Sequence, residues 1–171
     1  MKPLIKFLKR KDGVKIAYTT FGNGKPLLYP SAWVSDLAFS FSDKHISQFW
    51  EALSQYFTIV LYDKHGCGQS DRNRSQFSLE AELTDLETVF DHLQLDDITL
   101  FRMSCAGPVA LEFAYRHPKE VSSLILYSTW MNGNEIVNQE MRTAIADIVK
   151  TSWGFGSKMM IDLMVPGASP E

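Results

Sequence analysis

Stretches with strand periodicity alternate with stretches of helical periodicity between residues 26 and 128 of this 171-residue chain. The segment Phe57–Tyr62 is rich in β-branched and aromatic residues, which is typical of a strand buried on both faces. Between Leu79 and Leu93, apolar residues recur every three or four positions, which predicts an amphipathic helix. Because neighbouring parallel strands need a crossover that is usually helical, the alternation predicts an α/β fold: a mostly parallel sheet with helices on both faces.

The regions before and after this alternation also have regular patterns of apolar residues. Residues 4–9 and 14–20 are expected to form a hairpin around Asp12-Gly13, a dipeptide that favours a tight turn with positive φ. Beyond residue 130 the pattern is helical, with one apolar stripe made of Val137, Met141, Ala144, Ile145, Ile148 and Trp153. We therefore expect an α/β core over 1–130 and a helical region over 131–171.

Composition excludes several classes of function. The chain has 17 Lys and Arg against 20 Asp and Glu, a formal net charge of −3, so its charge gives no reason to expect a nucleic-acid partner. No segment approaches the roughly 18 apolar residues that a membrane helix needs, and the basic first residues do not resemble a signal peptide. The two cysteines, Cys67 and Cys105, are too few for a disulfide framework or a zinc site. We therefore expect reduced thiols, a cytoplasmic protein, no metal and no cofactor.

At Ser104 a predicted strand joins a predicted helix with no loop residues to spare. A serine at such a turn holds its hydroxyl out of the sheet and over the helix N-terminus, where free backbone N–H groups stabilise an oxyanion. Small residues on either side let strand and helix approach, as in the G-x-S-x-G elbow. Ala106 and Gly107 meet this demand, whereas Arg102 does not. The alternative interpretation centres the elbow on Cys105, with a thiol activated by the helix N-terminus.

Three stretches of the sequence resemble the α/β-hydrolase superfamily. Residues 62–71 (YDKHGCGQSD) are similar to the family's D-x-R-G-x-G-x-S-D loop, and residues 104–114 (SCAGPVALEFA) are similar to its S-x-G-G-P-V-A segment. The third shared stretch is 116–121 (RHPKEV), followed by an apolar strand. Trp33-Val-Ser-Asp36 and the segment from Trp153 onward most resemble the branch whose hydrolase-like domain accompanies bacterial regulators or cyclases. The resemblance implies an α/β-hydrolase-type sheet that lacks the family's last strands, followed over residues 131–171 by the start of the family's cap.

The resemblance also implies roles for residues around the elbow. Ser104 would be the nucleophile that forms an acyl-enzyme with an ester or a similar acyl substrate, and the Cys105 N–H would be one oxyanion donor. A second donor would come from Ala32 or Trp33, although the family's usual His-Gly is absent there.

Further residues are expected to border the site. In the resemblance, Asp63 and residues 66–70 form a structural loop beside it, and His65 of that loop is a possible lining residue. Trp130 is a second possible lining residue, because it is one of the aromatic residues that could line an apolar acyl pocket or equally belong to the core. The expected partner is a small-molecule acyl substrate or ligand.

The acid and base of a catalytic triad are missing from the expected places. A serine at its free pKa is a poor nucleophile and needs a base, which an acid orients; in the family order, both follow the serine. The chain's histidines are expected to have surface or capping roles: His45, His65, His92 and His117. Residues 129–132 contain no acid. We therefore expect a chain about 100 residues shorter than the family, truncated before the acid and base. The rival hypothesis is an inactive hydrolase-like module that binds a ligand or another protein.

The strand at Val121–Ser128 would have an open apolar edge in a sheet that lacks the last strands. We expect self-association through this edge, or through the Met-rich helices of 134–164, because methionine side chains adapt to varied surfaces. The alternative is that these helices fold back and cover the edge.

Overall fold

The computed structural model describes residues 3–31, 33–132, 137–165 and 167. The chain divides into two compact units, residues 1–131 and residues 132–171. The strands of the described residues all lie in the first unit, whereas the described part of the second unit contains helices.

One sheet in the first unit comprises β1 (Lys6–Lys9), β2 (Lys15–Gly22), β3 (Lys25–Tyr29), β4 (Phe57–Asp63), β5 (Ile98–Ser104) and β6 (Val121–Thr129). Among the described residues, the strand order is β1-β2-β4-β3-β5-β6. The hairpin strand β2 pairs antiparallel with β1 and with β4, whereas β4, β3, β5 and β6 are parallel to one another. The parallel strands therefore present their carboxyl ends, Tyr29, Asp63, Ser104 and Thr129, at one edge of the sheet.

Helices cover both faces of this sheet. The first unit contains α1 (Leu37–Ser40), α2 (Lys44–Leu53), α3 (Leu79–His92) and α4 (Gly107–Arg116). Residues of α3 and α4, such as Leu86 and Phe113, pack in one core cluster with Val60 of β4. Leu37 of α1 and Trp50 of α2 pack in a second cluster with other residues of the same strand. The predicted fold class, a mostly parallel sheet between two helical layers, is confirmed.

The β1–β2 connection is longer than a two-residue turn. Five residues separate Lys9 from Lys15, and Gly13 has the positive φ, +94°, that the Asp12-Gly13 prediction required. Arg10 in this connection binds Asp12 at 2.5 Å and the buried Asp85 of α3 at 2.6 Å. The hairpin is therefore tied to α3 by a charged pair.

Two features of the helices differ from the sequence pattern. The short helix α1 was not expected; it begins after Asp36, whose side chain accepts a hydrogen bond from the Phe39 N–H. The stripe from Val137 to Trp153 does not form one helix, because extended backbone at Ser152 separates α5 (Gln139–Thr151) from α6 (Trp153–Met164). Within the second unit, α6 approaches α5 closely, since a Cβ on Gly156 would lie 2.8 Å from the Val149 Cα.

Candidate active site

Ser104, the last residue of β5, has a left-handed backbone with φ of +62°. This region is unfavourable for residues with a Cβ and persists only where surrounding structure imposes it. Here β6 provides the constraint, because the Thr129 hydroxyl donates a hydrogen bond to the Ser104 carbonyl. The ladder between the strands shifts at the same place: Met103 pairs with Tyr127, whereas Ser104 pairs with Thr129. A bulge in β6 therefore accompanies the strained serine.

Helix α4 begins at Gly107, after a two-residue turn that follows Ser104, and it closely approaches β6. A Cβ on Gly107 would overlap the Thr129 hydroxyl and would lie 3.0 Å from the Thr129 Cβ. Ala106 is the N-cap of α4 but supplies no side-chain hydrogen bond to the first turn. The first N–H groups of a helix have no intrahelical partner, and the N-terminus carries a partial positive charge. The junction therefore presents a serine hydroxyl next to donors suited to an oxyanion.

A cavity of about 460 Å³ opens at the carboxyl ends of β3, β4 and β5. Its lining is mainly apolar and includes Tyr29, Leu37, Phe49, Trp50, Leu61 and Met103. Met103 directly precedes Ser104, so the cavity adjoins the elbow. Cavities of this size and character are typical of small-molecule sites.

Asp63 fixes the loops around this cavity. Its carboxylate is fully buried and accepts hydrogen bonds from the Leu37 N–H at 3.1 Å and the Gln69 N–H at 2.9 Å. Burial raises the pKa of the Asp63 carboxyl, and these backbone amides oppose the rise. Gly68 approaches so closely that a Cβ there would overlap the carboxylate. The contacts of Asp63 are those of a structural residue that orders the loop after β3 and the loop after β4.

The sequence comparison decides the family. Residues 34–152 match the family model described as the alpha/beta hydrolase fold. The chain belongs to the α/β hydrolase family. The family predicted from the sequence is therefore confirmed.

Individual relatives of this α/β hydrolase chain are distant. Over 133 residues it is 30% identical to the AB hydrolase superfamily protein YclE of Bacillus subtilis, with 72% of this chain and 42% of that protein covered. Over 126 residues it is 29% identical to an uncharacterized protein of Mycobacterium tuberculosis, with 74% of this chain and 35% of that protein covered. The chain thus spans 35% to 42% of the length of these two relatives.

A solved structure gives the same fold. The esterase EaEST from Exiguobacterium antarcticum superposes with a TM-score of 0.80 at 21% sequence identity, covering 98% of this chain and 63% of that chain.

Three of the four histidines of this α/β hydrolase chain have side-chain contacts away from Ser104. The His65 ring lies 3.0 Å from the Asn73 side-chain oxygen, the His92 ring 3.3 Å from the Tyr18 hydroxyl, and the His117 ring 3.7 Å from a Glu87 carboxylate oxygen. His45 is exposed on α2 and lines the cavity. Among the described residues, no hydrogen bond joins a histidine to Ser104.

The other predicted site residues lie around the elbow in different ways. Trp33 is 49% exposed, and its carbonyl lies 3.9 Å from the Cys67 sulfur. Trp130 is partly buried and directly follows Thr129, whose hydroxyl donates a hydrogen bond to the Ser104 carbonyl. His65 is not part of the cavity lining. Ala32 lies outside the described residues.

Sequence reasoning missed the aromatic wall of the cavity. Tyr29 packs edge-on against Trp50, with ring centroids 5.0 Å apart, and is tilted against Phe101 at 5.6 Å. These residues lie on β3, α2 and β5, so no sequence period reveals their contact. The sequence signal was the helical spacing of Ile46, Phe49, Trp50 and Leu53, which predicts an apolar helix face without showing that the face borders a cavity.

Two kinds of site were not found among the described residues. None of their helices has the length and apolar character needed to cross a bilayer. Their His, Cys, Asp and Glu side chains form no group of three or more that could hold a metal ion.

Proposed function

We propose that this chain carries the nucleophile of a serine hydrolase that acts on esters or similar acyl substrates through an acyl-enzyme at Ser104. The observation that carries the proposal is the φ of +62° at Ser104, at the direct junction of β5 and α4. Strained residues of this kind cluster at active sites. The strained position is Ser104 and not Cys105, which favours the serine over the cysteine-centred alternative. The fold shared with the esterase EaEST supports an ester as the substrate class.

In the proposed reaction, the Ser104 Oγ attacks the acyl carbonyl carbon and passes its proton to a base. The Cys105 N–H donates to the oxyanion that forms, and a second N–H is contributed by Ala32 or Trp33 in the loop after β3. The alcohol leaves with a proton. Water then hydrolyses the acyl-enzyme, which releases the acid and restores the serine.

The base and its orienting acid form the open part of this mechanism. The structure describes all four histidines of the chain. The rings of His65, His92 and His117 contact Asn73, Tyr18 and Glu87 and not Ser104. The proposal therefore gives this chain the nucleophile, an oxyanion donor and the acyl cavity. It assigns the acid and base to sequence outside this chain, which the greater length of the curated relatives supports.

The proposed ligand is a small molecule with an acyl group that fits the cavity of about 460 Å³. The aromatic and aliphatic lining favours apolar carbon next to the carbonyl. The proposed compartment is the cytoplasm, because Cys67 and Cys105 are both free.

A fluorophosphonate probe tests the proposed function, because a serine held beside oxyanion donors reacts with it faster than an ordinary exposed serine does. We expect intact-mass analysis to show one adduct on the wild-type chain and none on Ser104→Ala. The matched control is Ser75→Ala, which removes an exposed serine and should keep the adduct. Labelling is expected to be slow, because the serine lacks a neighbouring base.

The second candidate function is an inactive hydrolase-like module that binds a ligand or another protein. Two observations favour it: the histidine contacts lie away from Ser104, and a buried arginine, Arg102, stands where the elbow calls for a small residue. No adduct on the folded wild-type chain would support this module and overturn the hydrolase proposal. An adduct that survives in Ser104→Ala would place the reactive group elsewhere.

We also propose that the chain self-associates, through the β6 edge or through α5 and α6. In the first unit, β6 is an edge strand with Ile125 45% exposed and Tyr127 64% exposed. In the second unit, large apolar residues of α6 are exposed, among them Phe155 and Ile161. Exposed apolar edges and faces of this kind are surfaces for protein association.

Light scattering after size-exclusion chromatography, over a wide range of concentrations, tests the association. We expect a dimer or larger species for the wild type and a monomer for whichever of Ile125→Lys or Ile161→Lys disrupts the interface. Tyr115→Lys is the matched control, since Tyr115 is 81% exposed on α4, which is part of neither proposed surface. A wild-type chain that stays monomeric at high concentration would contradict the proposal.

A further inference from the structure

Arg102 is a buried cation that forms no ion pair with the residues that the structure describes. It lies on β5 two residues before Ser104 and is 1% exposed. Its Nε and Nη1 have no hydrogen-bond partner among the described residues. Arg74, whose side chain is also almost fully buried, contrasts with it, because Arg74 lies 3.0 Å from Glu82 and 3.3 Å from Asp85. The described residues supply no such ion pair to Arg102.

The partner that Arg102 does have connects it to the cavity. Its Cζ lies 4.6 Å from the centroid of the Tyr29 ring, and Tyr29 lines the cavity. Burial raises the pKa of Tyr29, the Arg102 charge and a side-chain hydrogen bond with Arg102 lower it, and Cys105 raises it, so the phenol lies within electrostatic reach of both residues. The guanidinium therefore contacts a residue of the cavity wall, although Arg102 is not itself one of the lining residues, and it lies two residues before the serine of the elbow.

An unpaired guanidinium in this place is costly unless an anion joins it. Arginine stays protonated in proteins, so it cannot relieve the cost by losing a proton. The Tyr29 ring attracts the cation and the side chains of the two residues share a hydrogen bond, but Nε and Nη1 of Arg102 have no acceptor among the described residues. The N-terminus of α4, which has no side-chain cap, adds a second positive feature nearby. A carboxylate is the group that best satisfies such donors, through charge-assisted hydrogen bonds.

We propose that Arg102 is a specificity-determining residue that binds a carboxylate carried by the acyl group of the substrate. Half-esters of short dicarboxylic acids belong to this class: the ester carbonyl would lie at Ser104 while the far carboxylate accepts from Arg102. The ester chemistry rests on the proposed function. Carboxylate binding does not, because it needs no reaction at Ser104.

Binding of succinate, measured by titration calorimetry on the full chain carrying Ser104→Ala, tests the carboxylate site. Succinamide is the neutral comparison. We expect succinate to bind at least about tenfold more tightly than succinamide, and we expect Arg102→Met to remove that advantage. Lys119→Met is the matched control, because it removes one positive charge from an exposed position and should leave succinate binding unchanged.

Thermal unfolding without ligand separates this role from a structural one. If Arg102 serves only the fold, Arg102→Met lowers the Tm. If Arg102 awaits an anion, replacing the unpaired charge with an apolar side chain leaves the Tm unchanged or raises it. Arg102→Gln, which keeps a polar side chain without the charge, is the second variant should the methionine variant not fold.

The outcomes are distinct for the two proposals. Succinate binding that depends on Arg102, without fluorophosphonate labelling of Ser104, keeps the carboxylate site and overturns the hydrolase. If Ser104 is labelled but succinate binds equally well with Arg102 and with Arg102→Met, the carboxylate site is overturned and the hydrolase is kept. The same holds if Ser104 is labelled and succinate does not bind at all. A lower Tm for Arg102→Met, with no loss of succinate affinity, also overturns it.

Discussion

Gly107→Ala is expected to lower the free energy of unfolding by about 1 to 3 kcal/mol, the range typical of overpacking in a close-packed interior. The new Cβ would overlap the Thr129 hydroxyl and lie 3.0 Å from the Thr129 Cβ, so α4 and β6 must separate. Separation also weakens the hydrogen bond from the Thr129 hydroxyl to the Ser104 carbonyl. Urea denaturation followed by circular dichroism measures the change.

A second substitution tests this explanation. In a Thr129→Ala background the hydroxyl and methyl are gone, so Gly107→Ala should cost less than half as much as in the wild type. Gly154→Ala is the control for glycine replacement itself: Gly154 lies in α6 with open space around it, and alanine there should preserve or increase stability. An equal cost of Gly107→Ala in both backgrounds would show that the Thr129 contact is not its cause.

The helices and strands could be predicted because the spacing of apolar residues is a local property of the chain. The run of β-branched and aromatic residues predicted β4 to within one residue, at Phe57–Asp63. The apolar residues that recur every three or four positions predicted α3, at Leu79–His92. Their arrangement followed from the crossover rule for parallel strands. The antiparallel pairing of β2 with β4 did not follow, because the pairing of distant strands depends on packing that no local period encodes.

The elbow shows a similar division between local and long-range information. The position of Ser104 at a strand-to-helix junction was visible in the sequence, whereas its positive φ depends on Thr129, 25 residues later. Arg102 was recognised as out of place, but its burial could not be predicted, because it depends on the ring of Tyr29 on another strand. Mismatches between a residue and its local pattern are therefore informative even where their structural outcome is hidden.

Asp63→Ala is expected to lower the free energy of unfolding by about 2 to 5 kcal/mol. The substitution leaves the buried Leu37 N–H without its acceptor, which costs about 1 to 3 kcal/mol, and the part-buried Gln69 N–H loses the same acceptor. Burial of the Asp63 carboxyl is itself unfavourable, as the raised pKa of this group indicates. Its removal recovers part of the lost free energy, so the net loss should not exceed about 5 kcal/mol. Because Asp63 and Leu37 both line the cavity, we expect weaker ligand binding as well.

Asp43→Ala is the matched control for Asp63→Ala. Asp43 accepts a hydrogen bond from the Ile46 N–H as the N-cap of α2, and loss of a helix cap typically costs about 1 kcal/mol. Asp63→Asn should lie between the two, because it keeps one acceptor oxygen but turns an N–H₂ group toward a backbone donor. If Asp63→Ala costs no more than Asp43→Ala in urea denaturation, the loops around the cavity do not depend on the buried carboxylate.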